Sequence, residues 1–110
     1  MRALRFPLVV SFALALAPVG GQAADARLGR AKAATTCTVC HGASGISAAP
    51  NTPNLAGQPE PYLEEQLRKY RDGSRRHEIM TLIAKPLSDA EIADLAAWFA
   101  SIRVEVVPGK

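Results

Sequence analysis

Five consecutive residues, Cys37-Thr38-Val39-Cys40-His41, carry the most chemistry in this chain. Two thiols separated by two residues are presented on one turn of backbone, so both sulfurs reach the same edge of a flat ligand. The imidazole that follows then lies beneath that ligand's centre. Thiols that add across the vinyl groups of a porphyrin, with a histidine on its iron, make C-x-x-C-H a c-type haem attachment pattern. Such iron takes a second axial ligand from far downstream. Met80 is the candidate, because the only other methionine is Met1. A thioether is a soft donor, and His/Met ligation raises the reduction potential above that of two nitrogen ligands.

Other chemistries use the same residues. A C-x-x-C pair also serves as a thioredoxin-like redox centre, a structural disulfide or half of a zinc site. The redox-pair reading expects a strand before the motif, whereas Ala31, Lys32, Ala33 and Ala34 read as helix. Zinc needs two further ligands, and one other histidine, His77, is present. His77 also competes with Met80 as axial ligand, although it stands in an arginine-rich, solvated segment. The haem reading is preferred because His41 follows the pair directly and the chain carries an export leader.

That leader is residues 1–24. Arg2 and Arg5 precede an apolar run from Phe6 to Ala17, and small residues end at Gly21-Gln22-Ala23-Ala24. The run is short for a membrane span, and the small-residue tail favours cleavage, giving a mature domain of residues 25–110 in the periplasm. The formal charge of +3 falls to +1 when the two leader arginines are left out, which does not mark a nucleic-acid-binding protein. With one tryptophan, two tyrosines and three phenylalanines, aromatic residues are few, and a porphyrin would fill interior volume.

The elements that must position the site follow in order. Asp25 to Thr36 is alanine-rich and helical, with Asp25 suited to cap it and Gly29 placed to let another helix cross closely. From Gly42 to Pro61 the glycines and prolines predict a loop, long enough to wrap a ligand. Within it the Pro53 carbonyl is the candidate acceptor for the second ring N–H of His41. Glu60 to Arg71 predicts a helix with Leu63, Leu67 and Tyr70 on one face and i,i+4 charge pairs on the other. Met80 falls in a loop, and Leu82 to Pro86 reads as loop or short turn. Ser88 and Glu91 form a capping-box pattern before Ile92, Leu95, Ala96, Phe99 and Ile102, the apolar stripe of a last helix. Arg68, Lys69, Arg71, Arg75 and Arg76 cluster near Met80; they read either as a solvated face or as a positive rim that steers an acidic redox partner.

Taken together, Pro53-Asn54-Leu55-Ala56-Gly57-Gln58, Tyr62-Leu63, Gln66-Leu67, Ile79-Met80, Leu87-Ser88-Asp89 and Ile92 to Phe99 make the chain similar to class I c-type cytochromes, within them the cytochrome c4 and short cytochrome c553 group. The resemblance implies an all-α cytochrome c fold of three to four helices wrapped around one covalently attached haem c. It implies thioethers at Cys37 and Cys40, axial ligands His41 and Met80, and first and last helices crossing near Gly29 and Trp98. Cytochromes c4 typically carry two such domains, and this chain has one motif. The expectation is an electron carrier without a small-molecule substrate or nucleic-acid partner, exchanging one electron with periplasmic or membrane redox proteins. The alternative is the haem c subunit of a periplasmic dehydrogenase.

Overall fold

Asp25 starts the first helix: its carboxylate accepts the backbone N–H of Arg27 at 2.8 Å, satisfying a donor that the first turn leaves unpaired. The computed structural model describes residues 21–109, so residues 1–20 of the expected leader lie outside it. Among the described residues the regular elements are all helical: α1 Ala26–Thr36, α2 Thr38–His41, α3 Glu60–Asp72, α4 Glu78–Ala84 and α5 Asp89–Ser101. None is long and apolar enough to cross a membrane.

The organising contact is the crossing of α1 over α5. Gly29 is buried there, and a Cβ at this position would run into the backbone carbonyl of Asp94 and come within 2.9 Å of Trp98 Cβ. Only glycine lets the two backbones approach so closely. Three polar contacts lock the crossing. The Asp25 N–H donates to Asp94 Oδ1 at 2.6 Å, Lys32 pairs with Glu91 at 2.9 Å, and the Arg30 guanidinium lies 5.3 Å from the Trp98 ring centroid.

α5 is set by the Ser88 capping box, with the Glu91 N–H on Ser88 Oγ (3.1 Å) and the Ser88 N–H on Glu91 Oε2 (2.9 Å). It buries Ile92, Leu95, Ala96 and Phe99 against Ala33 of α1, Leu63 of α3, and Ala84 and Leu87. α3 has Pro61 in its first turn, where the missing N–H costs no helical bond, and ends at Gly73 with φ 84°, whose N–H bonds the Lys69 carbonyl at 3.1 Å. Arg71 ties α3 to the start of α5, donating to the Leu87 carbonyl (2.9 Å) and to Asp89 (2.6 Å).

α4 departs from the sequence expectation of loop. His77 caps it, its Nδ1 accepting the N–H groups of Ile79 and Met80, both at 3.2 Å. A seven-residue segment is too short for apolar periodicity to stand out, and histidine is outside the usual set of cap residues.

Candidate haem site

The core of the described residues is small: only two large side chains, Ile92 and Leu95, are fully buried. Beside it lies a cavity of about 500 Å³, within the range of cofactor pockets. Cys37, Cys40, His41, Pro53 and Met80 all line it, together with Leu55, Leu63, Leu67, Leu87 and Phe99.

Local structure explains the convergence. Cys37 closes α1 and opens α2, so Cys40 and His41 follow on a single helical turn, with the His41 N–H on the Cys37 carbonyl at 2.9 Å. Both cysteines are free and partly buried. Burial pushes the Cys37 thiol up to about 11, with nearby Lys32 opposing only weakly. Dithiol redox centres work through a thiol of lowered pKa, so this shift points away from a thioredoxin-like role. Among the described residues no three His, Cys, Asp or Glu side chains gather as a metal site of their own.

The long loop after α2 is stitched at both ends. Leu55 N–H bonds the Gly45 carbonyl (2.8 Å), Gly57 N–H bonds the Phe99 carbonyl of α5 (2.9 Å), and Ser47 links the Cys40 carbonyl (3.0 Å) to the Asn54 side chain (2.7 Å). These contacts bring the Pro53 carbonyl to 2.8 Å from Nδ1 of the buried His41. A carbonyl only accepts, so Nδ1 carries the proton and the lone pair resides on Nε2, the atom left for a metal.

Met80 reaches the same cavity from the first turn of α4. His77 lines it too, but its one basic lone pair is taken. Nδ1 accepts two backbone N–H groups, and neutral imidazole then carries its proton on Nε2. The cap thus occupies the lone pair that His77 would offer a metal, a role for which the sequence carries only the His77 to Thr81 spacing as a hint.

The cationic cluster is mostly internally satisfied. Arg68 pairs with Glu64 (2.9 Å), Lys69 with Glu65 (2.6 Å) and Arg71 with Asp89, whose carboxyl the guanidinium holds below the usual range. Arg75 donates to Gln66 (2.7 Å) and lies 4.6 Å from the Tyr70 ring centroid. Arg76 alone of the five makes no ion pair or side-chain hydrogen bond among the described residues. The exposed residues lining the cavity include apolar Val39, 95% exposed, Tyr62 and Ile79, beside polar Asn51, Asn54, Arg75 and His77.

Two free thiols, an imidazole with its outer nitrogen bonded to a carbonyl, a thioether and apolar walls are the donor set and surroundings a covalent haem requires. The cytochrome c family model matches residues 26–103, spanning every helix and the whole cavity. The chain belongs to the cytochrome c family. Membership of that family implies covalently bound haem c.

Among relatives of this cytochrome c is cytochrome c4 of Pseudomonas aeruginosa, 48% identical over 101 residues that make up 90% of this chain and 50% of that protein. Cytochrome c-554(548) of Halomonas halodenitrificans is 46% identical over 82 residues, 72% of this chain and 98% of that one. A thiosulfate dehydrogenase electron acceptor of Thiomonas intermedia is 44% identical over 71 residues, 64% of this chain and 33% of its own length. The solved structure of reduced recombinant cytochrome c4 from Pseudomonas stutzeri superposes with a TM-score of 0.70 at 43% identity, covering 76% of this chain and 48% of that one. The chain therefore spans about half the length of the cytochromes c4 it matches and nearly all of the c-554(548). The fold is that of cytochrome c, all-helical with first and last helices crossed.

Proposed function

We propose that this chain is an exported one-electron carrier, its haem c joined through thioethers to Cys37 and Cys40 and ligated by His41 Nε2 and Met80 Sδ. One observation carries the reading: four functional side chains from the α1–α2 junction, α2 and α4 converge on a single apolar cavity, and the one other imidazole there is committed to a helix cap. Bound in this cavity, haem supplies a one-electron iron couple with both axial positions filled. The residues do the rest. Pro53 fixes the ring orientation and tautomer of His41, the leucines and Phe99 exclude water, and α4 delivers the thioether. Since most nearby cations are paired, a redox partner docks on the apolar rim of Val39, Tyr62 and Ile79, with Arg76 and the edge of Arg75 supplying what electrostatic steering there is. Residues 1–24 act as a cleaved leader, and the mature domain of residues 25–110 works in the periplasm.

Protein exported and matured by a haem-attaching host tests this directly. The denatured chain should retain a covalent haem mass and the native protein should titrate as a reversible one-electron couple. The Cys37→Ser, Cys40→Ser double variant should lose the covalent mass. Colourless material with no added mass contradicts the proposal. The likeness to a thiosulfate dehydrogenase electron acceptor favours a second reading, in which the chain serves as the haem partner of a periplasmic dehydrogenase. Co-purification of a catalytic subunit at fixed stoichiometry selects that reading, and a monomer on sizing selects the free carrier.

A further inference from the structure

We propose that His77 is a positioning residue for the Met80 ligand, acting through the first turn of α4. The inference rests on the assignment of Met80 above and extends it to a residue that makes no bond to the cofactor. The ring of His77 accepts the N–H groups of both Ile79 and Met80 at 3.2 Å, and the His77 N–H in turn donates to Thr81 Oγ1 at 3.0 Å. Side chain and main chain thus close a reciprocal box around the turn that carries the thioether, the same logic as a serine–glutamate capping box with different residues. The ring is itself held, edge-on to Tyr70 of α3 at 6.4 Å between centroids and 73° between planes.

The cap matters more here than on a longer helix. α4 has seven residues, and so short a helix has few internal bonds to offset the cost of nucleation. Its first turn is fixed by what holds its N-terminal donors, and Met80 is in that turn. The same two bonds also consume the Nδ1 lone pair, so the box presents the thioether and withholds the competing imidazole in one arrangement.

Competition with added imidazole reads this out in the ferric holoprotein. Displacement of Met80 is followed as loss of the weak far-red sulfur-to-iron absorption band. Imidazole binds only the Met80-released state, so its apparent affinity reports how populated that state is. His77→Ala should tighten apparent imidazole binding by about fivefold, the effect expected from losing an ordinary cap. His77→Asn, which accepts from the same N–H groups, should return it to within about twofold of the parent. Thr81→Val should give an intermediate tightening of about twofold. Ser88→Ala removes the cap of α5 instead; it should lower the urea midpoint and leave imidazole affinity unchanged.

An affinity unmoved by His77→Ala overturns the proposal. So does His77→Asn behaving like the alanine variant, or Ser88→Ala shifting the affinity as much as His77→Ala. A parent protein that lacks the far-red band overturns both this role and Met80 ligation. A parent that shows the band with a silent His77→Ala overturns the positioning role alone.

Discussion

Gly29→Ala perturbs the contact on which the whole frame rests. The added methyl meets the carbonyl of Asp94, a backbone atom that cannot swing aside, and closes to 2.9 Å on Trp98 Cβ. Overpacking of this kind costs roughly 1–3 kcal/mol, and a backbone obstacle puts this site at the upper end. Alanine recovers about 1 kcal/mol in helix propensity relative to glycine. The net expectation is a loss of about 2 kcal/mol, or about 8–16 °C in melting temperature for a domain of this size. Separation of the helices would also stretch the Asp25–Asp94 hydrogen bond and the Lys32–Glu91 pair. Urea melts of the holoprotein, followed by far-ultraviolet circular dichroism, measure it. Ala34→Gly, at an exposed site on the same helix, calibrates the propensity contribution and should lose about 1 kcal/mol. A Gly29→Ala protein as stable as the parent, or more so, would refute the close-crossing argument.

Two further expectations concern the surface ties. Arg71→Ala should destabilise by about 1.5 kcal/mol through loss of its charged hydrogen bond to the Leu87 carbonyl, while Asp89→Asn, which leaves that bond in place, should lower the urea midpoint less. Equal losses would show that the carbonyl contact contributes nothing. Glu91 has its carboxyl pKa lowered from 4.5, first by the Lys32 ammonium and then by the Ser88 N–H. A folded-state value below the unfolded one means that this contribution is complete above about pH 4.5 and is lost as pH falls through the lowered value. The difference in urea midpoint between parent and Glu91→Gln should therefore be present at neutral pH and shrink as pH falls below about 4.5; a difference that grows on acidification has the wrong sign.

Local signals carried much of this architecture. Asp25, Ser88 and Glu91 are cap residues by type and spacing, Leu63, Leu67 and Tyr70 recur at helical intervals, and the C-x-x-C-H run identifies its own chemistry. The i,i+4 pairs Glu64–Arg68 and Glu65–Lys69 form as their spacing suggests. What stayed hidden depends on partners distant in the chain or on unusual chemistry. Arg71 finds Asp89 and the Leu87 carbonyl across a helix–helix boundary, so a cluster that reads as a positive rim is largely neutralised. α4 escaped because its cap is a histidine and its length gives periodicity nothing to repeat. The stitching of the long loop by Ser47, Asn54 and the Phe99 carbonyl has no sequence signature either, yet it is what sets Pro53 against His41.

An iron porphyrin in this cavity should take its second axial bond from Met80, and the far-red absorption of the ferric holoprotein beside that of its Met80→Ala variant decides the point. The parent should show a weak sulfur-to-iron band that disappears in the variant, together with a fall in reduction potential. A band and potential that survive the substitution would place the ligand elsewhere and contradict the account.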